Sequence, residues 1–216
     1  MKPVDTQITY DFICPWCWIG HRNLKAAIAR MPTEVAPTIS YVPYELNPGM
    51  PLEGADRKAY RTAKFGSWAR SQAMDAEVAM MGRRTGLDFN HDLITVTPNT
   101  RLAHRLMAFA QQTGDAAMAE ALFDAIFAAY FSRGEHIGRV DVLVPLAVSA
   151  GFDAQAVRNH LSGTDGEAQV VAAQAKAQRE GVRSVPTIRI GSTAIAGAQP
   201  PSIMEKALQA AVGEAI

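Results

Sequence analysis

Both cysteines of this chain lie in one short stretch, Cys14-Pro-Trp-Cys17, where the sequence pattern changes. Residues 7–13 alternate apolar and polar and are rich in β-branched and aromatic side chains, a pattern typical of a buried strand. After Cys17 the apolar residues recur at helical spacing, at Leu24, Ala27, Ile28 and Met31. The pattern therefore predicts that Cys14 lies at a helix N-terminus, with Pro15 in the first turn, where its missing N–H costs little.

The predicted position of Cys14 has a chemical consequence. Unpaired N–H groups and the positive end of the helix dipole stabilise an anion at a helix start, and the thiolate is the reactive form of cysteine. Cys14 is therefore predicted to be the attacking sulfur. Cys17, one turn further in and more enclosed, is predicted to resolve a mixed disulfide.

A zinc site and a structural disulfide both explain this cysteine pair less well than redox chemistry does. Zinc needs four ligands at metal spacing, whereas the chain has no second cysteine pair and its five histidines are scattered. A purely structural disulfide at this spacing would close a tiny loop and constrain the unfolded chain very little. We therefore predict a redox-active dithiol and no metal site.

The composition limits the class of protein. Of the 216 residues, 48% are apolar and 19% are charged, as in ordinary soluble globular proteins. The 21 basic and 21 acidic residues cancel, so no charge excess points to nucleic acid or to a membrane surface. The chain has no run of 18 apolar residues and no apolar signal segment before the first strand. The expectation is a cytoplasmic protein without nucleic-acid or membrane partners, and in that compartment such a cysteine pair points to catalysis.

The remaining patterns place strands only near the two ends of the chain. The further predicted strands are 37–46, 185–190 and 193–196. Between about 56 and 161 the patterns predict helices and no strand, and capping patterns at Thr164 and Ser202 predict the starts of two late helices.

This order predicts an α/β domain interrupted by an all-helical one. Residues 1–55 are expected to form the first half of the α/β domain, 56–163 the inserted helical domain, and 164–216 the second half.

The motifs of this chain resemble those of a known family. Cys14-Pro-Trp-Cys17 with Trp18-Ile-Gly20 and the late Ser184-Val-Pro186-Thr187 is similar to the thioredoxin-fold DsbA superfamily. Further matches point to its FrnE-like branch, and they are Pro43-Tyr-Glu-Leu-Asn-Pro48, Met50-Pro51, Asn99-Thr100, Ala103-His-Arg-Leu106 and Gly181-Val182. The resemblance covers nearly the whole chain and implies a thioredoxin fold with an inserted all-helical domain.

The resemblance also implies roles for residues around the cysteines. It places a cis Val185–Pro186 peptide bond beside the Cys14 sulfur, where its loop presents backbone groups to a peptide or to glutathione. Pro15, Trp16, Val185, Pro186 and Asn99 are the substrate-binding residues that it implies.

Asn99, Trp16 and His21 carry further expectations. Asn99, just before Thr100, is also at an ordinary helix-capping position, which is the alternative to a substrate-binding role. Strongly oxidising relatives carry histidine where Trp16 stands. We therefore expect the reduction potential of the Cys14–Cys17 couple to lie between those of strong oxidants and strong reductants. His21, near the cysteines in sequence, is expected to be an exposed helix residue.

The function implied by residues and resemblance together is that of a thiol–disulfide oxidoreductase or isomerase acting through Cys14 and Cys17. Its substrates would be protein or glutathione disulfides, and it would need no cofactor beyond the dithiol, with glutathione as a candidate partner. The first alternative is a glutathione-dependent isomerase or transferase, resembling 2-hydroxychromene-2-carboxylate isomerases and kappa-class glutathione transferases, which carry serine where Cys14 stands. A role in polyketide maturation and a non-enzymatic client-binding protein are the second and third alternatives. Because the isomerase-type relatives pair through their inserts, a homodimer is a further expectation.

Overall fold

The computed structural model describes residues 4–32 and 37–214. They form two compact units, of which the first comprises the described residues up to Tyr44 and from Ala172 onward, and the second runs from Glu45 to Val171. The second boundary between the units, after Val171, falls inside helix α8 (Glu167–Arg179). The domain boundaries drawn from the sequence, after residues 55 and 163, stay a prediction.

The first unit is built on a mixed four-stranded sheet. Its strands are β1 (Thr6–Tyr10), β2 (Ile39–Pro43), β5 (Thr187–Ile190) and β6 (Thr193–Ala196), in the order β2-β1-β5-β6. Ile8 in β1 is paired with Tyr41 of the parallel strand β2 and with Ile188 of the antiparallel strand β5. The sequence therefore predicted all four strands of this sheet, although β1 ends before the predicted residue 13, β2 is shorter than the predicted 37–46 and β5 begins after the predicted residue 185.

Helices α1 (Pro15–Ile28) and α9 (Pro201–Glu214) pack against each other in the first unit. The start of α1 is the one that the sequence predicts. The start of α9 differs from the predicted cap at Ser202. The helix begins at Pro201, since proline suits a first helical position, and Ser202 lies inside the first turn. Side chains without solvent exposure fill the core, among them Ile8, Tyr10, Leu24, Ile188 and Leu208. Burying each apolar side chain of this size contributes about 1.5–3 kcal/mol to folding.

The second unit is mainly helical. Its helices are α2 (Arg57–Phe65), α3 (Trp68–Arg84), α4 (Arg101–Thr113), α5 (Ala116–Phe131), α6 (Val140–Ser149) and α7 (Ala154–Ser162), with a short 3-10 turn at His91–Leu93. Helix α5 is the centre of the core, since Leu122, Phe123, Ile126 and Phe127 have no solvent exposure. Carboxylates cap helices here as local sequence chemistry predicts; Asp115, for example, accepts the Met118 N–H at 2.8 Å.

Two expectations for this region were wrong. A small antiparallel sheet pairs β3 (Ala55–Asp56) with β4 (Val96–Thr97), where no strand was predicted, because two-residue strands are too short to show an alternating pattern. Helix α8 begins after the predicted start at Thr164, since Gly166 has a φ of +80° and interrupts any helix there.

Buried ion pairs also hold the second unit together. Asp75 accepts hydrogen bonds from Arg57 at 2.7 Å and from Arg61 at 2.8 Å, which ties α2 to α3. Arg101, at the start of α4, binds both carboxylate oxygens of the almost fully buried Glu45, at 2.8 and 2.7 Å. Within the part of the chain described here, no helix is both long enough and apolar enough to cross a membrane.

Candidate redox site

The cysteines lie at the turn between β1 and α1, as the sequence predicts. Cys14 has an extended backbone (φ −97°, ψ 106°), donates its N–H to the Asp11 carbonyl at 3.0 Å, and accepts the Cys17 N–H at 3.0 Å. Pro15 is the first helical residue, where its ring fits the helical φ and no N–H is needed. The Cys14 side chain thus leaves the chain at the N-terminal end of the helix dipole.

The two thiols are reduced and hydrogen-bonded to each other. Cys14 keeps 7% of its surface exposed, whereas Cys17 has none. Only Cys14 can therefore meet a substrate without local opening. This difference in access matches the expected division between an attacking and a resolving sulfur.

The loop before β5 comes to the Cys14 sulfur from the far end of the chain. The Cys14 thiol donates to the Val185 carbonyl at 3.6 Å, although the residues are 171 positions apart. The Val185–Pro186 peptide bond is cis. The Pro186 carbonyl accepts the Gly197 N–H at 2.8 Å, which attaches the loop to the end of β6.

Gly20 is the point at which α1 approaches this loop. A Cβ atom at Gly20 would lie 3.1 Å from Cγ of Pro186 and 3.6 Å from Cα of Ala198. The absence of a side chain at Gly20 therefore lets the helix lie against the loop.

We expect Gly20→Val to lower the free energy of unfolding by about 1–3 kcal/mol, because the added methyl groups overpack this contact. Urea denaturation measures the change. Gly213→Val is the matched control, since a Cβ at that helical glycine meets nothing within 4 Å. An equal loss in both variants would mean that valine in a helix, and not the contact with Pro186, is responsible.

Burial sets the protonation of the inner thiol. Loss of water raises the pKa of Cys17 well above its ordinary value, and the hydrogen bond to Cys14 acts in the same direction. A hydrogen bond to the backbone of the buried Asp11 lowers the pKa of Cys17, and the Asp11 charge raises it by a smaller amount, so burial and Cys14 decide the direction. Cys17 is therefore a protonated thiol in the folded, reduced protein at neutral pH.

This shift predicts that alkali destabilises the reduced protein. Above about pH 8.5 the Cys17 thiol ionises in the unfolded chain but stays protonated in the folded one. The unfolded state then binds fewer protons, so the free energy of unfolding falls with rising pH, by at most about 1.4 kcal/mol per pH unit for one thiol. Urea denaturation of reduced wild type and reduced Cys17→Ser is measured from pH 8 to 10. The free energy of unfolding of wild type should fall relative to that of Cys17→Ser as the pH rises. A difference that stays constant with pH would refute the prediction.

The structure brings most of the predicted site residues together. Pro15 and Trp16 are half-buried between the cysteines, and Val185 and Pro186 lie beside Cys14. Asn99 belongs to the second unit, where its amide donates to the Met50 carbonyl at 2.6 Å and accepts the Arg101 N–H at 2.9 Å.

The contacts of Asn99 fit the helix-capping alternative, because its carbonyl oxygen receives an N–H from the first turn of α4. They also show why the two family motifs around Met50 and Asn99 occur together, since one binds the other. A substrate-binding role for Asn99 stays a prediction.

His21 is the residue that sequence reasoning placed wrongly. Instead of being exposed, it has no solvent exposure, and its Nε2 lies 3.2 Å from the Tyr41 hydroxyl in β2. The signal was present in the sequence, because His21 is four residues after Cys17 and three before Leu24, on the apolar stripe of α1.

Comparison with known proteins identifies the class to which this fold and site belong. Residues 7–209 match the model of the DSBA-like thioredoxin domain, so the chain belongs to that family. The predicted α/β thioredoxin fold with a helical insertion is thereby confirmed.

Three solved structures resemble this chain over nearly its whole length. The probable DsbA oxidoreductase SCO1869 from Streptomyces coelicolor is 28% identical, with a TM-score of 0.88 over 98% of this chain and 91% of that one. A 2-hydroxychromene-2-carboxylate isomerase is 16% identical, with a TM-score of 0.73 over 97% of each chain. The cytosolic disulfide reductase DsbM from Pseudomonas aeruginosa, solved with GSH, is 18% identical, with a TM-score of 0.67 over 97% of this chain and 99% of that one. At these identities the last two show the shared fold alone.

Proposed function

We propose that this protein is a thiol–disulfide oxidoreductase or isomerase that acts on protein or glutathione disulfides through Cys14 and Cys17. The observation that carries the proposal is the reduced, hydrogen-bonded thiol pair at the start of α1. One sulfur is partly accessible and faces the Val185 carbonyl, and the other is sealed behind it.

The reaction follows from this arrangement. The Cys14 thiolate attacks one sulfur of a substrate disulfide, forms a mixed disulfide and releases the first substrate thiol. Cys17 then loses its proton and attacks the Cys14 sulfur, which releases the second substrate thiol and leaves a Cys14–Cys17 disulfide. Two electrons pass from the protein to the substrate, and the reverse sequence oxidises a substrate dithiol.

The Val185–Pro186 loop supports a role in holding the substrate. The Val185 carbonyl accepts a hydrogen bond from Cys14 and Val185 is half-buried, so a chain laid across the sulfur can reach the same backbone. Trp16 and Pro15 add half-buried apolar surface beside it. Glutathione is the small thiol that we propose as partner, with DsbM solved with GSH as a related precedent.

Cys14 argues against the isomerase alternative, since enzymes of that kind carry serine there and need no second cysteine. We further propose a cytoplasmic setting, in which a cysteine pair of this kind acts in catalysis and not as a structural disulfide. The homodimer expected from the resemblance stays a prediction.

The reduction potential of the Cys14–Cys17 couple tests the proposal. The protein is equilibrated against glutathione buffers, and the fluorescence of Trp16 and Trp18 reports the fraction oxidised. A potential between about −180 and −270 mV is expected for an isomerase or reductase, whereas about −120 mV would mark a strong oxidant. If no reversible disulfide forms, the proposal fails and the glutathione-dependent isomerase takes its place.

A second assay separates the enzyme from a client-binding protein. Serine at both cysteine positions should abolish insulin reduction and disulfide isomerisation. If suppression of client aggregation is the protein's activity, the doubly substituted protein keeps it.

A further inference from the structure

The segment that connects β6 to α9, residues 197–200, contacts both helix α1 and the loop before β5. At its start, the Gly197 N–H donates to the Pro186 carbonyl at 2.8 Å. Further along, the side-chain amide of Asn23 in α1 donates to the Gln199 carbonyl at 3.0 Å. Between these two bonds, the Gln199 N–H donates to the Gly197 carbonyl at 3.0 Å. Hydrogen bonds in series therefore join helix α1 to the loop that faces the outer sulfur.

A packing contact on the same face of α1 supports this connection. Gly20 and Asn23 are three residues apart on the helix, so they lie on one face of it. A Cβ atom at Gly20 would lie 3.6 Å from Cα of Ala198, in the connecting segment, and 3.1 Å from Cγ of Pro186, in the loop. Helix α1 thus meets the segment at two successive turns, by packing at Gly20 and by a hydrogen bond at Asn23.

The amide of Asn23 is explained by the carbonyl that it binds. Asn23 keeps only 7% of its surface exposed, and removing an amide from water costs free energy unless its hydrogen bonds are replaced. Leucine would fill a similar volume without that cost, but it would leave the Gln199 carbonyl without this donor. The side chain at this position therefore fixes the connecting segment to the helix.

The sheet alone does not fix the loop relative to the reactive sulfur. Strand β5 pairs with β1 and β6, so the sheet holds the loop against those strands. Cys14 belongs to the start of α1, and its 3.6 Å separation from the Val185 carbonyl depends on how α1 lies against the sheet. Asn23 is nine residues after Cys14, about 14 Å along the helix axis, so it can act on this separation without touching a disulfide held there.

We propose that Asn23, acting through residues 197–200, is a positioning residue that sets the Val185–Pro186 loop at the distance from Cys14 at which a peptide flanking the substrate disulfide binds the loop backbone. The inference rests on the proposed dithiol–disulfide function and gives it a substrate class, disulfides flanked by peptide groups. A small disulfide needs only the Cys14 sulfur, whereas a peptide disulfide also uses the loop. Loss of the Asn23 amide should therefore affect the second kind of substrate and spare the first.

The test compares two substrate disulfides in Cys17→Ser, in which the first displacement is observed alone. One is the symmetrical disulfide of a short capped peptide with a central cysteine, and the other is hydroxyethyl disulfide, which has no amide group. In each reaction the Cys14 thiolate bonds to one substrate sulfur and the other sulfur leaves as a thiolate, so mass spectrometry follows the adduct. The ratio of the two second-order rate constants measures the preference for peptide.

Adding Asn23→Leu should lower this preference by about 2- to 10-fold, as expected for the loss of one ordinary hydrogen bond between substrate and loop. The rate constant for hydroxyethyl disulfide should hardly change. Leu208→Ala is the matched control, since it leaves a cavity at a residue of α9 that has no solvent exposure and takes no part in these hydrogen bonds. It should lower stability and leave the preference unchanged.

Each outcome decides between defined alternatives. If both adducts form and Asn23→Leu keeps the full preference, the role of Asn23 is overturned and the proposed function stands. An equal loss of preference in Leu208→Ala would also overturn it, because general loosening of the first unit would then be the cause. If the Cys17→Ser protein forms no adduct with either disulfide, the proposed function itself has failed.

A measurement with asparagine in place covers the case in which Asn23→Leu does not fold. Hydrogen exchange of the Asn23 side-chain amide and of the Gly197 backbone amide is followed by NMR in Cys17→Ser, before and after each adduct forms. The peptide adduct should slow the exchange of both groups, because a chain bound to the loop also holds the connecting segment. The small adduct should slow neither. If the two adducts have the same effect, the inference is wrong.

Discussion

Reduced Cys17→Ser is expected to accumulate a stable mixed disulfide when mixed with oxidised glutathione. Cys14 can still attack and release one glutathione thiol, but the buried thiol that would displace the second is absent. Intact-protein mass spectrometry after acid quenching should show one glutathionyl group per chain, removable with dithiothreitol. Wild type under the same conditions should lose two hydrogens and carry no adduct, because Cys17 resolves the intermediate.

Cys14→Ser is the matched control for this experiment. Its remaining sulfur, on Cys17, has no solvent exposure and a pKa raised by burial, so the folded protein should form no adduct in the same time. Adduct formation at the rate of Cys17→Ser would show that the two sulfurs have the opposite roles. Both variants should lose catalytic turnover, since each lacks one of the two displacement steps.

The parts of the site predicted correctly from sequence are those that depend on local chain geometry. The change from period two to helical period predicts where α1 begins, and Pro15 confines the helix start to within a residue, whereas β1 ends at Tyr10 and not at the predicted residue 13. The spacing of Cys14 and Cys17 then places both sulfurs within one turn. No tertiary information was needed for that much.

The partner of Cys14 could not be derived in this way. Val185 reaches the sulfur because β5 pairs with β1 in the register that sets Thr187 opposite Thr9, and this pairing joins segments at opposite ends of the chain. A single sequence contains no direct signal for that pairing, so only the resemblance to a family predicted it. The short strands β3 and β4 were missed for the related reason that two residues show no period.

His21 illustrates a different limit. Its position on the apolar stripe of α1 predicts burial, but the polar character of histidine predicts exposure, and the second of these predictions is wrong. The structure resolves the conflict through Tyr41, whose hydroxyl supplies the hydrogen bond that makes burial tolerable. For a polar residue on an apolar helix face, position and side-chain chemistry thus give opposite predictions of burial, and the tertiary partner decides between them.

The largest effect on stability is expected from Asp75→Ala in the helical unit. Asp75 is the carboxylate partner of Arg57 and Arg61, and the Arg57 side chain is only 5% exposed. Removing the carboxylate leaves two neighbouring guanidinium groups without their negative partner in a site that water barely reaches. Breaking a buried pair in this way typically costs about 3–5 kcal/mol, and urea denaturation should show a loss in this range.

Asp141→Ala provides a control with equally good geometry and different burial. Asp141 binds Arg139 at 2.9 and 2.6 Å, yet the side chains are 64% and 59% exposed, so water replaces the lost contacts. Because Asp141 also lies in the first turn of α6, its loss should lower the free energy of unfolding slightly, well below the loss in Asp75→Ala. If Asp75→Ala were equally harmless, the contacts between α2 and α3 would have to be stabilised by packing around Trp68, whose ring lies 5.6 Å from the Arg57 guanidinium. A large loss in Asp75→Ala alone would establish that desolvation of the arginines, and not the number of hydrogen bonds, sets the cost.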